Sequence, residues 1–205
     1  MNDDIINVIN KAHREVDKSA QPSVLVRRRY PATAEDVWSA CTEPDRLRRW
    51  FLPLSGDLRV GGRYQLEGNA GGEILACERP NLLHVTWGMG EGPASEVRVR
   101  LTQIGADTTE LELAHSRVGD PEFWAKFGPG SVGAGWDLVL YGLESDLAGV
   151  DLSDRESWTR TQEYADFVRA STQSWAAAHE AAGASAADAQ AAAEQTLRFF
   201  APHAN

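Results

Sequence analysis

Apolar residues recur at intervals of three and four positions between 132 and 147, which predicts one long amphipathic helix. Side chains with this spacing lie on one helical face. Gly149 follows the last apolar position, where a helix ends. A single helix of this kind needs a β-sheet on which to bury its apolar face. The predicted face consists of Val132, Trp136, Val139, Leu140, Leu143 and Leu147.

Before this helix, the chain alternates between apolar and polar residues over short segments, which predicts β-strands at 24–30, 57–60 and between 63 and 115. In the last strand, Leu111, Leu113 and His115 share a face that alternates with Glu110 and Glu112. One apolar and one charged face per strand is typical of an antiparallel sheet with one side in water. The connections are short, so consecutive strands should form a meander.

Helical spacing predicts five further helices. Residues 3–17 carry apolar positions that predict one short helix, and residues 33–51 predict two. Capping motifs precede both of the latter, at Thr33–Asp36 and at Thr42–Asp45, and another lies at Ser153–Glu156. Two more helices are predicted after residue 160, one ending at Gly183 and one that begins with the motif Ser185–Asp188.

These elements predict an α+β chain in which a curved antiparallel sheet of about six or seven strands surrounds the long helix and leaves a cavity beside it. Residues 1–21 form an amino-terminal helix in this interpretation, 22–149 the main domain, and 150–205 a two-helix extension packed on that domain or on a partner.

The net charge of −10 comes entirely from residues 101–205, and it argues against binding to nucleic acid or to an anionic membrane. The arginines at 27–29 and 46–49 are predicted to be solvent-exposed, because strand and helix geometry scatter each group over different faces. Cys41 and Cys77 form no metal or disulfide motif, and no segment is long and apolar enough to insert in a membrane. A cytoplasmic protein is expected.

Three sequence segments reveal a resemblance to a known superfamily. The segments are Tyr30–Trp38, Cys41–Phe51 with Gly61–Tyr64, and Gly133–Leu143. They resemble the SRPBCC (START-like) superfamily, and within it the branch named after the activator of the ninety-kilodalton heat-shock chaperone ATPase. The resemblance covers about residues 22–149 and implies a helix-grip fold. It does not imply chaperone activation, because the activating members carry a separate amino-terminal domain for which no counterpart is expected here.

The sequence contains no motif that specifies a reaction. Patterns for a serine nucleophile, a phosphate loop, a dinucleotide site and a zinc protease are missing from it. The five histidines are dispersed, so no metal ion and no cofactor are expected.

His115 is the titratable side chain that the strand pattern directs inward. A core histidine bonded to the backbone or to a neighbouring hydroxyl is the favoured interpretation. The alternative makes it a polar anchor for a ligand, or a general acid–base if a carboxylate such as Asp137 lies near. Asp137 itself is expected to be a solvated or capping acid.

Aromatic side chains could line the predicted cavity or simply fill the core, and the sequence leaves both open. Three of them lie in the connection before the long helix and could form a flap over the cavity mouth: Phe123, Trp124 and Phe127. The predicted ligand-binding set is Trp38, Trp50, Tyr64, Trp87, His115, Trp124, Phe127 and Trp136.

Three functions follow in order of preference. The first is binding of a small hydrophobic or aromatic molecule between the sheet and the long helix. The second is a cyclase- or hydrolase-type enzyme that uses the same cavity, with His115 as acid–base. The third is a protein-interaction module, such as a chaperone accessory or a homodimer formed through the terminal helices. Exposure of the aromatic residues between Tyr164 and Trp175 would favour the third.

Overall fold

The computed structural model describes residues 2–17, 22–89, 94–116, 121–150 and 154–203. The predicted α+β class is confirmed. The helices are α1 (Asn2–Asn10), α2 (Ala34–Thr42), α3 (Pro44–Trp50), α4 (Pro121–Phe127), α5 (Gly130–Leu147), α6 (Arg155–Trp158), α7 (Gln162–Ala181) and α8 (Ala186–Phe200). The strands are β1 (His13–Asp17), β2 (Ser23–Tyr30), β3 (Leu54–Gly56), β4 (Arg63–Leu66), β5 (Gly71–Glu78), β6 (Leu82–Trp87), β7 (Ser95–Gly105) and β8 (Thr108–Ser116).

The strands form one eight-stranded sheet in the order β1-β2-β8-β7-β6-β5-β4-β3. Strands β3 to β8 pair antiparallel with their sequence neighbours, so the predicted meander is confirmed. The longest pairing joins β7 and β8, with Val97 opposite His115 and Leu101 opposite Leu111. Both pairs belong to the buried face of the sheet.

The count of eight strands exceeds the predicted six or seven because two short strands were not recognised in the sequence. The helix predicted over residues 3–17 ends at Asn10, and His13–Asp17 forms strand β1. The strand predicted at 57–60 is a turn, closed by a hydrogen bond from the Gly62 amide to the Arg59 carbonyl at 2.8 Å. The strand before this turn, β3, is only three residues long.

Two of the three capping predictions that concern described residues are confirmed. The Thr33 and Ser185 side chains accept hydrogen bonds from the amides of Asp36 and Asp188. The prediction at Thr42 was wrong, because the N-cap of α3 is Glu43 and the Thr42 hydroxyl donates to the Trp38 carbonyl at 2.7 Å. The capping motif predicted at 153–156 begins outside the described residues.

The chain divides into two compact units. The first, called the helical unit, comprises Met1–Val26, Val118–Tyr141 and Ser153–Asn205. The second, called the sheet unit, comprises Arg27–Arg117 and Gly142–Leu152. Helix α5 therefore contributes its first twelve residues to the helical unit and its last six to the sheet unit. The predicted boundaries at 21/22 and 149/150 stay predictions.

The core of the helical unit contains the aromatic side chains predicted on the first tail helix. Phe167 and Trp175 are fully buried, and Tyr164 is 6% exposed. Val8 and Ile9 of α1 belong to the same buried cluster as Tyr164 and Phe167. The aromatic residues of α7 thus pack within their own chain.

Candidate functional site

The buried face of the sheet unit, called the inner face, alternates regularly with an exposed charged face. Its residues are Arg28 and Tyr30 of β2, Tyr64 and Leu66 of β4, Ile74 of β5, Val85 of β6, Val97 and Leu101 of β7, and Thr109, Leu111, Leu113 and His115 of β8. Apolar side chains dominate this face, so its polar members are the candidates for a functional role.

His115 lies on the inner face beside a hydroxyl group. Its Nε2 atom is 2.7 Å from Ser95 Oγ, and that hydroxyl donates to the Trp87 carbonyl at 2.7 Å. A serine hydroxyl has one hydrogen, so the imidazole Nε2–H must donate to the Ser95 oxygen. The His115 ring also meets the edge of the Trp87 ring, with centroids 6.3 Å apart.

Burial lowers the pKa of His115 from 6.5 to about 4. The imidazole is therefore neutral at pH 7 and acts as a hydrogen-bonding group rather than as a cation. Tyr64 lies close to this cluster, because its hydroxyl donates to the carbonyl of Thr86, the neighbour of Trp87, at 2.7 Å. Burial raises the pKa of Tyr64 above its ordinary value. Tyr64, Trp87 and His115 thus belong to one end of the inner face.

Arg28 contradicts the prediction that the arginines at 27–29 are solvent-exposed. Its side chain is 2% exposed, and its Nη2 atom donates to Glu144 of α5. The guanidinium lies 5.3 Å from the centroid of the Tyr30 ring. Its Nε atom is buried and has no hydrogen-bond partner.

The reason is the two-residue period of β2, which directs Arg28 inward and its neighbours outward. Arg27 and Arg29 form ion pairs on the charged face of the sheet, with Glu112 and Glu110 respectively. These pairs run in opposite order along β2 and β8, which places Arg28 beside Leu111 on the inner face.

Arg46 also contradicts the prediction of exposure. Its Nε donates to Asp146 of α5 at 2.8 Å, and its Nη1 donates to the Asp36 carboxylate at 2.5 Å. One side chain thus joins α2, α3 and the last turn of α5 within the sheet unit. Arg48 and Arg49 are exposed, as predicted.

Trp38 and Trp50 are buried in α2 and α3, away from the His115 end of the sheet. The Trp50 indole donates to the Ala40 carbonyl at 3.0 Å. Helix α2 starts where the Ala34 amide donates to the Gln103 side chain at 2.6 Å. Gln103 is eight residues along β7 from Ser95, a distance of about 27 Å in an extended strand. The start of α2 is therefore far from the His115–Ser95 pair.

The remaining members of the predicted ligand set belong to the helical unit. Trp124 meets His179 of α7 edge-on at 6.5 Å between ring centroids. Phe127 packs against Phe199 of α8 at 5.7 Å, and Trp136 is 6% exposed. The connection predicted as a flap thus contains helix α4, whose aromatic side chains contact the tail helices.

Asp137 was expected to be solvated or to cap a helix, and this prediction was wrong. The residue is 3% exposed. It accepts hydrogen bonds from Arg14 Nε at 3.2 Å, Arg14 Nη2 at 2.9 Å, Ser171 Oγ at 2.6 Å and Trp175 Nε1 at 3.1 Å. Burial raises its pKa, and Arg14 opposes that shift most strongly. The four donors occupy the carboxylate fully, as expected for a structural ion pair.

Neither a metal site nor a membrane span emerges from the described parts of the chain. No three histidine, cysteine or acidic side chains there are grouped so that they could hold a metal ion. None of the helices described is long and apolar enough to cross a membrane.

Solved structures of several proteins are similar to this chain. The crystal structure of CalU16 from Micromonospora echinospora matches this chain with 34% sequence identity and a TM-score of 0.62. The match covers 82% of this chain and 98% of that chain. Its solution structure gives 32% identity, a TM-score of 0.69, and coverage of 84% and 97%. DynU16, from the dynemicin biosynthetic locus, is 28% identical with a TM-score of 0.55, covering 62% of this chain and 47% of that chain.

Comparison with curated protein sequences gives no significant match. The family model for "Activator of Hsp90 ATPase homolog 1-like protein" matches residues 31–148, which include α2, α3, β3 to β8 and all of α5. The predicted resemblance is therefore confirmed, and the chain belongs to the family of Activator of Hsp90 ATPase homolog 1-like proteins.

Proposed function

We propose that this protein binds a small, mainly apolar or aromatic molecule on the inner face of the sheet unit, beneath the last turns of α5. One observation carries the proposal. Two polar pairs, His115 with Ser95 and Arg28 with Glu144 of α5, each have a buried member on a sheet face whose other buried side chains are mainly apolar.

Such a combination is characteristic of ligand sites rather than of a simple core. Small-molecule sites are mostly apolar and contain a few polar groups that orient the ligand. A purely structural core gains little from buried polar groups, because removing them from water costs free energy. The aromatic rings of Tyr64 and Trp87 beside the His115 pair would suit a flat ligand.

The family relationship supports a small-molecule role. One relative, DynU16, comes from a biosynthetic locus, where small molecules are the substrates and products. Fold similarity alone does not identify the ligand, because one fold serves many functions.

A catalytic role is the second candidate, and the position of the Ser95 hydroxyl beside His115 favours it. An acid–base histidine needs a second polar group within hydrogen-bond reach, and Ser95 Oγ lies 2.7 Å from His115 Nε2. Asp137, the carboxylate considered from the sequence, is already bonded to Arg14, Ser171 and Trp175. A reaction at this site would thus rely on a neutral imidazole and a hydroxyl.

Native mass spectrometry of protein purified without detergent tests the binding proposal. We expect a retained small molecule that is released when the protein unfolds. His115→Phe should weaken retention, because it removes the polar anchor while keeping a ring of similar size. His84→Phe is the matched control, because His84 of β6 pairs with Glu96 and does not belong to the inner face.

A retained molecule whose amount is unchanged in His115→Phe would exclude the His115 site. The absence of any retained molecule, together with no binding of apolar aromatic probes, would exclude the proposed function. Turnover of an identified ligand by the wild type but not by Ser95→Ala would favour the catalytic candidate over simple binding.

We further propose a cytoplasmic location, because Cys41 and Cys77 are both free thiols. A homodimer through the terminal helices would have to use surfaces other than the aromatic residues of α7, which are buried within the chain. Light scattering on the purified protein would decide the oligomeric state.

A further inference from the structure

Two buried arginines in this protein use the same edge of the guanidinium differently. Arg14 directs Nε and Nη2 at the two oxygens of Asp137, at 3.2 and 2.9 Å. Arg28 directs only Nη2 at Glu144, and its buried Nε–H has no acceptor. Guanidinium groups present this edge as a fork that matches two oxygen atoms. Half of the fork of Arg28 is therefore unused.

An unused donor in the protein interior is uncommon and costly. The great majority of buried polar atoms are hydrogen-bonded, and an isolated exception requires an explanation. The guanidinium of Arg28 forms an ion pair with Glu144 and lies over the ring of Tyr30. The flanking ion pairs place Leu111 of β8 beside it, and the leucine side chain offers no acceptor. The orphan donor thus lies on the apolar inner face described above.

We infer that the Nε–H of Arg28 donates a hydrogen bond to a neutral carbonyl oxygen of the bound molecule. This inference rests on the proposed binding function. It adds the chemical class of the ligand, which is a flat apolar compound with an uncharged carbonyl, such as an aryl ketone.

Charge balance selects a neutral carbonyl over an anion. Glu144 already compensates the positive charge of Arg28, and its side chain is only 26% exposed. A ligand carboxylate at Nε would place two negative charges around one guanidinium in a poorly solvated site, which is unfavourable. A neutral carbonyl satisfies the donor without adding charge, and a hydrogen bond to a charged donor is stronger than a neutral one.

Three naphthalene compounds of similar shape test this inference by isothermal titration calorimetry. They are 2-acetonaphthone, 2-ethylnaphthalene and 2-naphthoate, which present a neutral carbonyl, no oxygen and a carboxylate. We expect the wild type to bind the ketone about tenfold more tightly than either other compound. Replacing both members of the pair, by Arg28→Met with Glu144→Gln, should bring the ketone and the hydrocarbon to equal affinity without leaving an unpaired charge.

Arg29→Met is the matched control, because Arg29 is the next residue of β2 and its side chain is 69% exposed on the charged face. The preference for the ketone should survive in this variant.

A second experiment uses only the wild type, so its result does not depend on whether the double variant folds. In ¹⁵N-edited NMR spectra, the Nε–H signal of Arg28 should shift on addition of the ketone and not on addition of the hydrocarbon.

The possible failures are distinct. Equal binding of ketone and hydrocarbon by the wild type would overturn the role of Arg28 and leave the proposed function standing. Tightest binding of 2-naphthoate would overturn the choice of a neutral carbonyl. Binding of none of the three would overturn the inference, and a lack of any retained molecule in native mass spectrometry would remove the proposed function as well.

Discussion

Trp175 of α7 packs directly over the backbone of Gly133 in α5. A Cβ atom at position 133 would lie 2.1 Å from Cε2 of the Trp175 ring, far inside van der Waals contact. The same indole donates to Asp137, one turn further along α5, at 3.1 Å. Trp175 is fully buried, so it cannot move aside into solvent. The close approach of α5 and α7 therefore depends on the absence of a side chain at 133.

Gly133→Ala should destabilise the helical unit. Forcing a methyl group into a packed core costs about 1–3 kcal/mol or more. The gain in helix propensity from glycine to alanine, about 1 kcal/mol, offsets only part of this cost. We expect a net loss of roughly 2 kcal/mol in the free energy of unfolding, measured by urea denaturation.

Gly135→Ala is the control within the same helix. A Cβ atom there meets only Phe200 Cζ, at an ordinary contact distance of 3.9 Å. The helix-propensity gain should then appear alone, as a stabilisation of about 0.5–1 kcal/mol. Equal effects of the two substitutions would contradict the packing of Trp175 on Gly133.

The ion pair between Arg14 and Asp137 leads to a second prediction. Arg14 has a side-chain exposure of 5% and Asp137 of 2%. Asp137→Ala removes the acceptor for Arg14, Ser171 and Trp175 at once. Removal of one partner from a buried pair costs about 3–5 kcal/mol, because the other charge stays buried without compensation. Urea denaturation at pH 7 should show a loss of this size.

The combined substitution of Arg14→Met with Asp137→Leu provides the comparison. Replacing both charges by apolar groups of similar volume removes the uncompensated charge, so the double variant should be more stable than Asp137→Ala alone. A double variant that loses as much stability as the sum of the single substitutions would show that the two residues are not energetically coupled.

The sequence predicted the elements whose signal is local. The alternation in β8 and the capping residue Thr33 identified a strand and a helix start, because each depends only on neighbouring positions. The family resemblance then supplied the topology. The long helix was placed within two residues of its observed start, at Gly130.

Contacts between distant segments could not be predicted in the same way. The sequence around Asp137 contains nothing that points to Arg14, which is 123 residues away. Arg28 was assigned to solvent together with Arg27 and Arg29, because strand geometry scatters the three side chains over different faces. Its inward position could have been found from the strand period alone, since Tyr30 two residues later was already an apolar position. The sequence also could not predict which aromatic side chains lie together, because their contacts depend on tertiary packing.

Arg46 gives a third prediction, with a neighbouring residue as control. Its hydrogen bonds to Asp36 and Asp146 join three helices, whereas Arg48 is 63% exposed and lies 3.5 Å from Asp45. Arg46→Met should lower the free energy of unfolding by about 2–3 kcal/mol, because two partly buried carboxylates lose their donor. Arg48→Met should change it by less than about 0.5 kcal/mol, as is usual for an exposed pair. Similar losses for both, measured by thermal and urea denaturation, would contradict the role of Arg46.

His115 gives a fourth prediction, which concerns pH. Its pKa is lowered from 6.5 to about 4 by burial, so the folded state disfavours the protonated imidazole. The unfolded chain binds a proton as the pH falls through 6.5, and the folded chain does not until about pH 4. The contribution of this group to stability is therefore fully present above the unfolded pKa and is lost as the pH falls towards the folded pKa.

The loss between pH 7 and pH 5 amounts to about 2 kcal/mol from His115 alone. His115→Gln keeps a donor for Ser95 but does not titrate, so its unfolding free energy should fall by about 2 kcal/mol less than that of the wild type over this range. Urea denaturation at both pH values measures the difference. His203→Gln removes an exposed histidine and should behave as the wild type. The same pH dependence in wild type and His115→Gln would mean that the imidazole is not held neutral by burial, and its assignment as a neutral hydrogen-bond donor to Ser95 would fail with it.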